Sequence, residues 1–218
     1  MDKYYPIMLD LCGKKCVVIG GGKVAQRKVL SLLRCGAKVK VISPKCTDKL
    51  KKLQIEGKIE LIKRPYTFGD IKGSFLAFIA TDQEKVNKAS LKEAKAEGAF
   101  VNVIDNPYEC DFVVPSVIKR GDLQITVSTN GKSPMLSKKI REELEETFGE
   151  EYREYIHALG NLRELVLEEI DDIHIRRKVF KTIVYSDLLE KYKNRDIKEI
   201  RNAVMELYEN VIQGIDIP

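Results

Sequence analysis

Cys16-Val17-Val18-Ile19-Gly20-Gly21-Gly22-Lys23-Val24-Ala25 is the stretch that decides the fold. A short apolar run, read as a buried parallel strand, leads directly into three glycines. Val24 to Cys35 then places Ala25, Val29, Leu32 and Leu33 on one helical face, and Gly36 ends that helix as a C-cap glycine does. Gly20 to Ala25 fits G-x-G-x-x-A, a weak pattern alone but an informative one between a strand and a helix. Gly20 permits the tight turn. Gly22 lets the backbone approach a pyrophosphate with no Cβ in the way, and Ala25 lets the helix pack close to the strand. N–H groups at the helix start, with the dipole behind them, hold the phosphate charge.

Outward from this turn the chain alternates. Lys38 to Ser43 reads as a second strand closed by Pro44, Thr47 to Glu56 as a helix, and Ile59 to Lys63 as a third strand. Phe75 to Ala80 is apolar throughout, which suits a central parallel strand covered on both faces. Glu84 to Glu97 is helical and stopped by Gly98, and Ala99 to Ile104 is another strand. This is the doubly wound signature. After Asp111 the pattern changes. Phe112 to Ile118 and Leu123 to Ser128 are extended runs around Arg120-Gly121-Asp122, and a helix starts at Ser133 with Pro134 at its first position. Beyond Gly149 helices are predicted over Glu150–Glu169, Ile173–Tyr192 and Asp196–Val211. The fold class is α/β: an N-terminal Rossmann-type parallel sheet (1–112), a small α+β segment (113–144) and a C-terminal helical domain (145–218).

Composition bounds the function. Hydrophobic residues make up 44% of 218, enough for a buried core. No stretch approaches the ~20 apolar residues needed to cross a bilayer, and Met1 to Asp10 lacks the apolar core of a signal peptide, so a soluble, cytoplasmic protein is expected. The five cysteines are odd in number and form no CxxC pair, and there are two histidines, so no metal site is expected. The net charge of +5 hides an asymmetry: 27 basic against 14 acidic residues from Met1 to Arg141, then 11 against 19 from Glu142 to Pro218. The basic residues have few aromatics between them, which argues against a single-stranded nucleic-acid platform.

Two positions bear on chemistry. A dinucleotide site often carries Asp or Glu at the end of the second strand to grip the ribose. This chain has Ser43-Pro44-Lys45 there. Ser43 is suited to bond a hydroxyl and Lys45 to accommodate a 2′-phosphate, so the residues leave NAD and NADP both open. Asn102-Val103-Ile104-Asp105 ends a predicted parallel strand, where ligands of open α/β sheets sit. A carboxylate at Asp105 is placed to take a proton while hydride leaves a substrate. Before Asn106-Pro107 the same residue is equally well read as a turn former.

Several segments carry a resemblance in order and spacing: Pro6 to Leu11, Gly20 to Lys28, Ala80-Thr81-Asp82, Asn102 to Pro107, and Val127-Ser128-Thr129-Asn130-Gly131-Lys132-Ser133-Pro134. Together they closely resemble the siroheme synthase N-terminal family, the precorrin-2 dehydrogenases. The resemblance runs from Met1 to about Leu144; over the tail it is one of length and character. It implies oxidation of precorrin-2, a polycarboxylate tetrapyrrole, to sirohydrochlorin with NAD as cofactor. Asp105 matches the family's catalytic carboxylate. Lys23, Val24, Pro44 and Lys45 fall where the family contacts NAD, and Thr81 and Asp82 lie near the cofactor. Ser128 matches a serine phosphorylated in some relatives. The resemblance further implies that about Phe112 to Leu144 builds a homodimer interface, with substrate between domains.

The charge map suits such a substrate. Between Phe112 and Arg141 six basic residues, Lys132, Lys138 and Arg141 among them, meet one acidic residue, Asp122. The Ser133-Pro134 helix start adds free N–H groups. Ser128, Lys132, Ser133, Lys138 and Arg141 are the expected substrate contacts. Two other readings compete. A bifunctional enzyme also inserts Fe²⁺, with His157 as a candidate ligand. A non-catalytic NAD-responsive module predicts a DNA-binding element, which the acidic tail opposes.

Overall fold

The computed structural model describes residues 4–192 and 197–214. It divides into two compact units, Met1–Val114 and Pro115–Pro218. The predicted helix start at Asp196 and the first three residues of the N-terminal segment lie outside the described residues.

In the first unit five parallel strands stand in the order β3-β2-β1-β4-β5. They are β1 (Lys15–Ile19), β2 (Lys38–Ile42), β3 (Ile59–Ile62), β4 (Leu76–Ile79) and β5 (Phe100–Val103). Helices α1 (Lys23–Arg34), α2 (Asp48–Ile55) and α3 (Glu84–Ala96) form the crossovers, and residues 63–75 return from β3 to β4 without one. The alternation of each strand explains why the runs are apolar throughout. Cys16, Val18, Val39, Val41, Leu76 and Phe78 face one way, onto Ala25, Val29, Leu32, Leu50 and Leu53. Val17, Ile19, Ile42, Ala77, Ile79, Val101 and Val103 face the other, onto Ile71, Leu91 and Ala94. Both faces are covered, as parallel sheets require.

The predicted run from Phe112 begins later, at β6 (Ser116–Arg120). Asp111 and Phe112 are held against β5 instead. The Asp111 N–H donates to the Val101 carbonyl at 2.9 Å, its carboxylate accepts from the Val101 N–H at 2.9 Å, and Asn102 Nδ2 donates to the Phe112 carbonyl at 2.9 Å.

In the second unit β6 pairs antiparallel with β7 (Leu123–Val127) around Gly121-Asp122. Gly121, at φ 58°, supplies the positive φ that a two-residue hairpin turn demands. α4 (Pro134–Thr147) lies against this hairpin, and α5 (Glu151–Glu169) follows. Arg120 Nε donates to the Phe148 carbonyl at 3.0 Å, tying hairpin to helix end. α5, α6 (Ile173–Val184), α7 (Leu188–Tyr192) and α8 (Ile197–Ile212) enclose a core of Leu162, Val166, Val179, Ile183, Ile200 and Val204. The single helix predicted over Ile173–Tyr192 is two. Ser186 is the physical reason: its hydroxyl donates to the Ile183 carbonyl at 2.8 Å and accepts from the Leu188 N–H at 3.3 Å. A side chain that serves the backbone in this way competes with the helical ladder.

Candidate active site

The carboxyl ends of β1, β2 and β4 open onto a cleft of about 710 Å³. Three glycines make its floor, and each answers to something different. Gly20 has φ 124°, and a Cβ there would stand 2.2 Å from the Ala80 carbonyl oxygen. The β1 turn and the end of β4 therefore touch through backbone alone. A Cβ at Gly21 would stand 2.2 Å from the Lys45 carbonyl oxygen and 2.9 Å from Ser43 Oγ. The loop after β2 is thus seated on Gly21, whose carbonyl accepts from the Thr47 N–H at 3.0 Å. Gly22 differs from both. Its φ is −78°, and a Cβ there would meet nothing within 4 Å. Neither backbone strain nor protein packing demands glycine at this position. Open space beside the first turn of α1 does fit a diphosphate drawn up to the helix start. That turn has no side-chain cap and no acidic residue, so its N–H groups and positive dipole end are available to an anion.

Gly20, Gly22, Lys23, Val24, Ser43, Pro44, Lys45, Thr81 and Asp82 all line this cleft. Lys23 and Lys45 are exposed cations with no carboxylate partner among the described residues. The Ser43 hydroxyl donates to the Lys45 carbonyl at 2.7 Å, which fixes the loop and leaves its lone pairs for a sugar hydroxyl. Thr81 bonds the Asn87 side chain at 2.7 Å and accepts from the Gln83 N–H at 3.1 Å, setting the start of α3. Sequence reasoning missed Gly21, Pro65, Tyr66 and Val86. Gly21 is an unspecified position in the glycine pattern, and Pro65 and Tyr66 sit in a loop with no motif of its own.

Asp105 lies just past the end of β5, exposed, outside the lining of this cleft. Its φ of 64° is left-handed, a conformation that Asp and Asn tolerate better than most residues. The loop carrying it is cinched at its base. Cys110 Sγ is 3.2 Å from the Val103 N–H nitrogen, the Val103 carbonyl and the Asn106 carbonyl, and Asn102 clamps Phe112 as described above. The carboxylate is thus presented from an anchored turn.

The remaining predicted residues belong to the second unit. Ser133 caps α4, its hydroxyl accepting from the Leu136 N–H at 3.3 Å. Ser128 is exposed, and its hydroxyl accepts from the Asn130 N–H at 3.1 Å. Lys132 has no carboxylate partner among the described residues. Lys138 pairs with Glu142 at 3.6 Å, and Arg141 pairs with Glu142 and Glu145. The acidic run that neutralises these cations starts immediately after the window in which basic residues dominate. His157 is exposed on α5, with Nδ1 3.4 Å from the Asn161 amide. Among the described residues no three His, Cys, Asp or Glu side chains group as a metal site.

Two family profiles match in tandem. One, described as putative NAD(P)-binding, covers residues 7–116, and the other, described as sirohaem biosynthesis protein central, covers 120–147. The chain belongs to the siroheme synthase N-terminal family. Among the relatives of this family member are siroheme synthases from Nitrosococcus oceani, 34% identical over 99% of this chain, and Edwardsiella ictaluri, 31% identical over 94%. It covers 45% of the length of each, so the chain spans about half of the curated relatives it matches. Among solved structures, SirC, a precorrin-2 dehydrogenase, superposes with TM-score 0.79 at 25% identity over 93% of this chain and all of its own. The Rossmann-type sheet and helical C-terminal part agree with that structure.

Proposed function

We propose that this chain oxidises precorrin-2 to sirohydrochlorin, releasing a proton and reducing NAD⁺ to NADH. The full-length likeness to a precorrin-2 dehydrogenase carries the reading, and the open floor at Gly22 supports the cofactor. NAD⁺, when bound, accepts hydride from the substrate. The chain's own residues do the rest. Gly22 and the first turn of α1 hold the diphosphate, with Lys23 and Val24 beside it. Ser43, Pro44 and Lys45 line the ribose side, and Thr81 and Asp82 the opposite wall. Asp105 takes the released proton. Lys132, with Ser128 and the Ser133 helix start, draws in the carboxylates of the substrate, while Lys138 and Arg141 contribute less because glutamates already partner them.

The protein works as a homodimer in the cytoplasm. Exposed Val117, Met135 and Leu136 of the hairpin and α4 support self-association, and five cysteines outside any disulfide support a reducing compartment. The name siroheme synthase on the relatives favours a second reading, in which the same chain also inserts Fe²⁺. Anaerobic incubation with precorrin-2 and NAD⁺ tests the first: NADH and sirohydrochlorin absorbance rise together. Adding Fe²⁺ afterwards tests the second, through formation of siroheme. No NADH in the first step refutes the dehydrogenase.

A further inference from the structure

The wall of the nucleotide cleft formed by Pro65 and Tyr66 comes from the one crossover that has no helix. Its order therefore needs another source, and the side chains of that loop supply it. Arg64 grips Asp70 with both guanidinium nitrogens at 2.7 Å, and the Asp70 carboxylate also accepts from the Thr67 N–H at 2.9 Å. Glu93 reaches in from α3. It is 1% exposed, a carboxylate almost wholly removed from water. One of its oxygens accepts from the Ile71 N–H at 2.7 Å and the other from the Tyr66 hydroxyl. Burying a carboxylate is costly unless it is fully hydrogen-bonded, and here its partners are two points of the same loop.

This arrangement decides what Tyr66 offers the cleft. Its hydroxyl is committed to Glu93 and lies 3.5 Å from the Ala89 carbonyl. Burial and the neighbouring Glu93 carboxylate both push the phenol's pKa well up, so it stays a neutral donor. What remains for a ligand is the ring, which lines the cleft with Pro65 and Val86. That corner lies between the loop that leaves β3, the edge strand farthest from β5, and the first turns of α3. If the diphosphate rests at Gly22 and the reacting ring is near Asp105, the other base of the dinucleotide falls toward β3.

We infer that Tyr66, held by Glu93, is the aromatic wall against which the adenine of the dinucleotide rests. Tyr66 is a binding residue and Glu93 a positioning residue that acts through it. The inference rests on the cofactor reading above, and it assigns the adenine end of the cleft. Aromatic stacking is worth about 1–3 kcal/mol per base on truncation to alanine, which is roughly a 5- to 150-fold loss in affinity.

Calorimetry with NAD⁺, ADP-ribose and nicotinamide mononucleotide, on the full chain, tests it. Tyr66→Ala weakens NAD⁺ and ADP-ribose by the same factor, within that range, and leaves the mononucleotide within about two-fold. Tyr66→Leu, which keeps apolar volume against the core and guards against misfolding of the alanine variant, gives the same split. Tyr66→Phe retains the ring and most of the affinity, but its unfolding midpoint falls because Glu93 loses a donor. Equal loss for all three ligands, or no loss for any, overturns the inference. Failure of the unaltered protein to bind either NAD⁺ or ADP-ribose instead overturns the cofactor reading beneath it.

Discussion

Gly22→Ser separates what the protein needs from what the ligand needs. Because φ at this position is −78° and a Cβ meets nothing within 4 Å, the substitution costs the folded chain no strain. It should help. Serine is a slightly better N-cap than glycine, by a few tenths of a kcal/mol, and loss of a glycine lowers the entropy of the unfolded chain by ~0.4–1 kcal/mol. The unfolding midpoint of the ligand-free protein should therefore rise by ~1–4 °C. The bound diphosphate has the opposite experience. A side chain at Gly22 occupies the space through which it reaches the N–H groups of α1. Losing two hydrogen bonds to a charged group removes about 3–6 kcal/mol, a fall in NAD⁺ affinity of roughly 10²–10⁴-fold. Gly20→Ala is the contrasting control: its Cβ, 2.2 Å from the Ala80 carbonyl oxygen at φ 124°, damages the fold itself and lowers the midpoint by many degrees. Thermal unfolding and calorimetry read the two effects separately. A Gly22→Ser variant that binds NAD⁺ within two-fold of the unaltered protein would refute the cradle, whatever its stability.

Asp105→Asn keeps a residue that tolerates the left-handed turn, so its midpoint should match the parent within about 2 °C while turnover drops roughly 10²–10⁴-fold; normal turnover would leave Asp105 a turn former. Neutralising Lys132 should raise KM for precorrin-2 more than neutralising Lys138 or Arg141, and KM should climb with salt as the Debye length shrinks from ~10 Å at 0.1 M to ~3 Å at 1 M; a salt-independent KM places the substrate elsewhere. Asp70 has its carboxyl held below the ordinary value of 3.8, first by the Arg64 hydrogen bonds, so its contribution to stability is complete above that value and is lost as pH falls through the lower folded one. Arg64→Gln should accordingly lower the midpoint at pH 7 and flatten its acid-side decline below pH ~4, measured by unfolding across pH. Met135→Glu should shift the species seen in sedimentation toward monomer; an unchanged mass removes α4 from the interface.

The parts of the fold legible in the sequence are those written in backbone terms. Glycines that must be glycine, Gly20 and Gly36, punctuate strands and helices by their φ angles, 124° and 71°. Apolar runs such as Leu76–Ile79 announce a sheet covered on both faces. What escaped reading depends on one side chain meeting another far away in sequence. Glu93 reads as a surface charge on an amphipathic helix, yet it is buried because Tyr66 and Ile71, more than twenty residues earlier, bring it donors. Ser186 divides a helix whose apolar period continues unbroken. Lys138 and Arg141 look like a basic field until the glutamates one helical turn further on are counted against them.

That difference extends to the site. The proposed diphosphate cradle is made of peptide groups and of space, so its glycine spacing states it almost completely, and Gly22 is the clearest case because neither strain nor packing asks for glycine there. The proposed base-binding wall and proton acceptor are made of side chains on loops, and each loop is fixed by a polar clasp: Arg64, Asp70 and Glu93 for Tyr66, and Asn102, Cys110 and Asp111 for Asp105. Both clasps serve loops that follow the carboxyl ends of strands, β3 for Tyr66 and β5 for Asp105. A parallel sheet aligns its strand ends but leaves the loops beyond them free. Fixing two such loops with side-chain hydrogen bonds would give a frame common to many dinucleotide-binding proteins one geometry for the proposed base site and one for the proposed proton acceptor. Loosening the Tyr66 clasp should therefore weaken dinucleotide binding, and loosening the Asp105 clasp should lower turnover and spare that binding.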